Sequence, residues 1–195
     1  MKFNEQTKVV ARLHPQFNNR GLNIYNPYFE AAQINAVYLL FQNEKVQPLL
    51  QGLRNLNLAG AIPAGFEKNP ELVGLMDELD PVAKKIGRVG LITQHNGKLK
   101  GYYQGAYGLT ESIKTITKIK DKKVVILGAG VVASGLLAHL SLTNELPGEI
   151  EIYNRDTYKA EKMAQEYKVV KKVGGLHELF FTSGDIFINA TNIGS

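Results

Sequence analysis

Apolar positions in this chain switch between helical spacing and short, nearly continuous runs, a pattern that predicts alternating helices and strands. Residues 26–41 (NPYFEAAQINAVYLLF) start amphipathic and end β-rich, so a helix should pass through a short loop into a strand. In residues 47–60, Leu49, Leu50, Leu53 and Leu56 lie at helical spacing. Residues 60–70 (GAIPAGFEKNP) hold two Gly and two Pro, which predicts a loop. Residues 71–87 should form one or two short helices broken near Pro81, and residues 89–103 a hairpin turning at His95-Asn96-Gly97.

A helix is expected over 108–120, from Leu109, Ile113 and Ile116, and the domain junction is placed at 107/108. After it the order becomes regular: strand 123–128, helix 131–143, strand 149–154, helix 157–167, strand 172–173, helix 176–181, strand 186–191. Apolar runs between helices predict a parallel, doubly wound sheet. The expected fold class is therefore α/β, with an N-terminal α/β substrate-type domain (1–107) and a C-terminal Rossmann domain (108–195) that looks incomplete.

Composition adds mainly exclusions. Hydrophobic residues make up 44% and charged residues 21% of the chain, with nine Tyr and eight Phe, which fits a folded globular protein. No run of eighteen apolar residues occurs, and the N-terminus lacks the apolar core of a secretory signal, so the expectation is no membrane association and a cytoplasmic location. With no Cys, and with His14, His95, His139 and His177 scattered, no metal site is expected. The charge of +5 falls in lysine clusters at 114–123 and 168–172 without interleaved stacking aromatics, so these read as solvated faces and not as a nucleic-acid surface. A small-molecule substrate is expected, with room for a homodimer.

The segment VVILGAGVVA (124–133) carries the most specific chemistry. Gly128, Gly130 and Ala133 follow an apolar strand and open a helix, the context a GxGxxA needs to bind a dinucleotide. Gly128 permits the tight turn, Gly130 lets the backbone approach a pyrophosphate, and Ala133 allows close helix-to-strand packing, while Ala129, Val131 and Val132 bring backbone N–H groups to the helix N-terminus. At the end of the next strand, where an NAD site usually carries an acid, stand Asn154 and Arg155; a guanidinium there suits a 2′-phosphate and indicates NADP. Asp156 beside it works against that charge.

These residues resemble the shikimate dehydrogenase family. YNRDTYKAEKMA (153–164) is similar to the family's NRT-xx-KAE, and FINATNIG (187–194), with Thr191, to its INAT-x-x-G. FEAAQINAVYLLF (29–41), GLRNLNLAG (52–60), LMDELDPVAKKIG (75–87) and NGKLKGYYQGAYG (96–108) follow further family segments in order. The resemblance implies NADP-dependent interconversion of 3-dehydroshikimate and shikimate, with a Lys and an Asp flanking the reacting oxygen, and places Thr191 with the cofactor-binding residues. Counting forward from Gly52 and Gly60 puts Lys68 at the lysine position, whereas counting back from residues 77–79 puts Asn69 there.

The departures bear on function. The family's GYNTDG aligns on residues 101–106 and puts Gly105 at the catalytic Asp. Its substrate-gripping Asn and Thr positions hold Ile62, Ala64, Gly90, Leu91, Tyr103 and Gln104, and its two N-terminal Ser positions hold Asn19 and Gly21. A site that loses several hydroxyl-binding partners discriminates against its former ligand. Tyr102 or Tyr103 could act as proton donor near Lys68, the ammonium lowering the phenol's pKa. Three readings stay open: an oxidoreductase of this family acting on a less hydroxylated hydroxy or keto compound, a catalytically silent NADP-binding sensor or partner protein, and shikimate dehydrogenase itself, in aromatic amino acid biosynthesis.

Overall fold

The computed structural model describes residues 3–16, 19, 21–67 and 69–192. The chain divides into two compact units, Met1–Tyr103 and Gln104–Ser195, a division that precedes the 107/108 junction drawn from sequence.

The first unit is built on a six-stranded mixed sheet in the order β2-β1-β3-β5-β6-β4. Strand β1 (Lys8–His14), which no sequence signal marked, is an interior strand with parallel partners on both sides, β2 (Ala36–Gln42) and β3 (Gly60–Ile62). Its Ala11 and Leu13 enter the core, where helix α2 (Val46–Asn55) buries Val46, Leu50 and Leu53. Residues 60–62 correct the expected loop. A Cβ on Gly60 would lie 2.5 Å from the Ile92 carbonyl oxygen, so this glycine marks a close approach between β3 and β5 (Leu91–His95) and not a turn.

Helix α1 (Leu22–Ala31) buries none of its side chains fully, and Asn26 ties it to the sheet by accepting the Tyr38 N–H at 2.8 Å and donating to the Tyr38 carbonyl at 3.0 Å. Helices α3 (Glu71–Gly74) and α4 (Pro81–Ile86) sit on either side of a two-residue strand, β4 (Glu78–Leu79), so the short helices expected around Pro81 are present with a strand between them. The hairpin turns where expected. Asn96 (φ 50°) and Gly97 (φ 75°) both take positive φ, the requirement of a two-residue turn joining β5 to β6 (Lys98–Tyr102).

The second unit holds a four-stranded, all-parallel sheet in the order β10-β7-β8-β9. Its helix α5 spans Gly105–Lys114 and not 108–120. It starts early because Ala106 and Thr110 are buried, and it stops before a β-branched run in which Ile116 is exposed and Ile119 leaves the helical path to enter the core. Strands β7 (Lys123–Leu127) and β8 (Glu149–Tyr153) are packed by α6 (Val131–Leu142) and α7 (Thr157–Glu166). Strand β9 covers Val170–Gly174, and the turn expected as a helix at 176–181 is a 3-10 helix, Leu176–Phe181. From β7 the chain moves outward to β8 and β9, then returns to place β10 (Ile186–Asn189) on the other side of β7. That reversal leaves a crevice at the strands' carboxyl ends, the place where doubly wound sheets bind ligands.

Candidate functional site: a cleft in the second unit

A cleft of about 420 Å³ opens at the carboxyl ends of β7, β8 and β10. Of the residues singled out from sequence, Gly128, Ala129, Gly130, Asn154, Arg155 and Thr191 line it. Asp156, noted from sequence beside Arg155, lines it as well, and so do Lys159, Leu176, Ala190 and Asn192, which were not assigned there. Lys159 could have been found from its place in the 153–164 segment; Leu176 could not, because only the folding of β9 against β8 brings it round.

Each glycine of the loop has its own physical reason. Gly128 has φ +101°, and a Cβ on it would meet the Ala190 carbonyl oxygen at 2.8 Å, so both conformation and space require glycine. Its N–H donates to the Tyr153 carbonyl at 2.8 Å and the Ala190 N–H donates to the Leu127 carbonyl at 2.7 Å, which fixes the loop between its neighbours. Gly130 has φ −98°, which any residue can adopt, and a Cβ there would meet nothing within 4 Å. It borders open cleft. Ala133 is fully buried in the core beneath the loop and so serves packing, while Val131 and Val132 are exposed on the first turn of α6, whose N-terminus has no side-chain cap.

At the rim, Asn154 donates through Nδ2 to the Asp156 carbonyl at 2.7 Å, and Asp156 Oδ2 lies 3.8 Å from Lys159 Nζ. Arg155 is exposed and makes no ion pair or hydrogen bond with the described residues. On the β10 side, Asn189 Oδ1 accepts from the Thr191 N–H at 3.0 Å and from its hydroxyl at 2.6 Å.

The residues proposed for catalysis belong to the first unit. Lys68 lies outside the described residues. Tyr103 is half-buried, and its backbone N–H donates to Asp80 Oδ2 at 2.8 Å. Burial pushes its phenol up from the ordinary range, with the Arg88 guanidinium opposing, which corrects the expected lowering: desolvation disfavours the phenolate more than nearby positive charge favours it. The Tyr102 ring lies 5.6 Å from Lys100 Nζ. Ile62 and Leu91, at two of the altered positions, line an apolar pocket of about 450 Å³ together with Val10, Tyr25 and Tyr38. Burial raises the Tyr38 phenol, with Arg12 opposing. Among the described residues no group of three His, Asp or Glu is placed to hold a metal ion, and no helix is long and apolar enough to cross a membrane.

Residues 110–194 match the family model described as shikimate / quinate 5-dehydrogenase. The shikimate dehydrogenase (NADP(+)) of Methanocaldococcus jannaschii is 32% identical over 203 residues, a match that covers 98% of this chain and 70% of that protein. A crystal structure of a shikimate dehydrogenase in complex with NADP+ superposes with a TM-score of 0.78 at 29% identity, covering 99% of this chain and 69% of that one. The ligand-free 5-ketofructose reductase of a Gluconobacter species superposes with a TM-score of 0.81 at 25% identity, covering 98% and 71%. With the glycine loop, the strand order and a relative at this identity over most of its length, the chain belongs to the shikimate / quinate 5-dehydrogenase family.

Proposed function

We propose that this protein is an NADP-dependent oxidoreductase that interconverts a hydroxyl and a carbonyl on a small compound carrying fewer hydroxyls than shikimate. The observation that carries it is the cleft at β7, β8 and β10, where the unobstructed Gly130 and Arg155, which has no ion-pair partner among the described residues, face the same space. Bound there, NADP(H) supplies or accepts the hydride. The first turn of α6 meets the pyrophosphate with backbone N–H groups and a favourable helix dipole, and Arg155 meets the 2′-phosphate. The shikimate dehydrogenases with NADP named above support that choice of cofactor.

For the substrate side, Ile62, Ala64, Gly90 and Leu91 offer no side-chain hydrogen bonds at the positions that would grip hydroxyls, and Gly105 offers no carboxylate. Tyr103 is the proposed proton donor, with Lys68 beside the reacting oxygen. A phenol kept protonated by burial can donate to an oxygen that gains negative charge as hydride reaches the carbon. That a 5-ketofructose reductase shares this architecture supports a carbonyl substrate other than 3-dehydroshikimate.

Gly105 also favours a second reading, a relative that binds the nucleotide without turnover. The deciding experiment follows NADPH absorbance with shikimate, quinate and a panel of cyclic ketones and hydroxy acids, beside a Gly105→Asp variant. The proposal expects turnover of a sparsely hydroxylated carbonyl compound, abolished by Lys68→Ala, and negligible shikimate turnover. Robust shikimate turnover by the wild type overturns the substrate assignment, and NADPH binding without oxidation of any panel member selects the second reading.

A further inference from the structure

We infer that Arg12 and Tyr38 form an anion-binding corner at the apolar pocket of the first unit, and that the compound this pocket takes is a ring carrying a carboxylate. The inference deepens the substrate reading proposed above by naming the substrate's class; it rests on that reading for turnover but not for binding. Strand register fixes the arrangement. Val10 and Arg12 lie two residues apart on β1 and so share one face of the sheet, with Tyr38 beside Val10 on β2 and Ile62 beside Arg12 on β3. Val10, Tyr38 and Ile62 line the pocket of about 450 Å³, and Arg12 stands next to them on the same face.

Two polar atoms on this face are buried without a hydrogen-bond partner, Arg12 Nε and the Tyr38 hydroxyl. Tyr38 is fully buried and Arg12 half-buried, and the guanidinium is close enough to act against the burial of the phenol. No carboxylate among the described residues pairs with Arg12. Buried polar groups in folded proteins are almost always paired, and a guanidinium keeps its charge at any pH at which the chain folds, so two neighbouring unpaired groups need an explanation. Nε–H can only donate, so the group that satisfies it is an acceptor. If that acceptor is an anion it also offsets the guanidinium's charge, and with two oxygens it can take the Tyr38 O–H as well. A carboxylate has all three properties. The rest of the ligand meets Val10, Ile62, Leu91 and the Tyr25 ring, whose centroid lies 4.6 Å from that of Tyr38, so its body is apolar and of ring size.

The test is calorimetric titration of the full chain, without nucleotide, with 3-oxocyclohexanecarboxylate and with its uncharged amide. It is run on the wild type, Arg12→Met, Arg12→Lys and Tyr38→Phe, with far-UV circular dichroism to establish folding. The wild type is expected to bind the carboxylate about tenfold more tightly than the amide, as one charge-assisted pair would give. Arg12→Met should remove that difference by weakening the carboxylate alone. Arg12→Lys should restore part of it, since an ammonium keeps the charge but not the planar fork of donors. Tyr38→Phe should weaken the carboxylate severalfold without lowering the melting temperature, because the hydroxyl it removes has no partner in the protein. Equal wild-type affinities for acid and amide, or binding of neither, overturn the inference and require no variant to fold; so does a preference for the acid that survives in folded Arg12→Met. A preference for the acid in binding, with no NADPH oxidation by it or by any compound of the panel above, keeps the anion-binding corner and overturns the oxidoreductase reading. Turnover of the amide as efficient as that of the acid keeps the oxidoreductase and overturns the corner.

Discussion

Asp80 joins the residue that follows β6 to the start of a helix: one carboxylate oxygen accepts the Tyr103 backbone N–H at 2.8 Å, and the other caps α4 by accepting from Val82 N at 2.7 Å and Ala83 N at 3.2 Å. Pro81 at the first helical position and Gly87 in the left-handed region just past the helix complete the same short element. The position of Tyr103 thus depends on a side chain more than twenty residues upstream, through its backbone and not through its phenol.

Replacing Asp80 with Ala should remove all three hydrogen bonds. The expected cost is about 1–2 kcal/mol, the usual range for loss of an N-cap, read as a lower urea midpoint. Asp80→Asn keeps an acceptor and should recover most of the loss; equal losses in the two variants would show that the carboxylate geometry is not what holds the element.

Glu151 is the buried carboxylate of the second unit. It lies 2.8 Å from Lys123 Nζ and accepts from the Tyr153 hydroxyl at 2.7 Å and from Thr182. Burial pushes its carboxyl up, but Lys123, Thr182 and Tyr153 together outweigh burial and hold it at about 2. Because this lies below the ordinary value of 4.5, the unfolded chain binds the proton more readily, so the group's contribution is fully present above about pH 4.5 and is lost as the pH falls toward 2. Glu151→Ala should lower stability at pH 7 by about 2 kcal/mol. It should also flatten stability against pH in that window; an unchanged acid slope would refute the assignment.

The two glycines of the loop between β7 and α6 should fail differently. Gly128→Ala adds a Cβ 2.8 Å from a backbone oxygen at a residue with φ +101°, so the expected result is a destabilised second unit, with a lowered melting temperature even without ligand. Gly130→Leu meets open space at an extended φ, so the protein should fold normally and lose nucleotide binding because the side chain occupies the cleft. Unchanged NADPH affinity in folded Gly130→Leu would show that the loop is structural only.

Arg155→Ala should weaken NADPH and leave NADH nearly unchanged. A charge-assisted pair with phosphate contributes about 1.5–3 kcal/mol, and solvent exposure puts the expected loss at the lower end, about tenfold in dissociation constant. Equal wild-type affinities for the two nucleotides, with no effect of Arg155→Ala, would remove the 2′-phosphate from this site.

The sequence alone was enough to bring the residues of the glycine-loop cleft together. Gly128, Gly130, Asn154 and Arg155 are local signals: a turn that demands positive φ, a strand end, a charge at a set distance from both, and each could be placed before any tertiary contact was known. The hairpin at Asn96-Gly97 and the break at Pro81 were legible for the same reason, since turn chemistry acts within a few residues.

What the tertiary structure alone decided is non-local. Gly60 reads as loop in sequence but belongs to an interior strand because the Ile92 carbonyl crowds it from the neighbouring strand. Strand β1 carries a cation at Arg12 and too short an apolar pattern to stand out, yet it becomes an interior strand once β2 and β3 pair with it on both sides. The Tyr103 phenol rises and does not fall because burial, which no spacing rule reports, exceeds the nearby positive charge. Asp156 gives the sharpest contrast: its charge and position were readable from sequence, but only the folded rim shows that it engages Lys159 instead of capping α7, because a side chain's choice between two nearby partners is set by three-dimensional geometry and not by order along the chain.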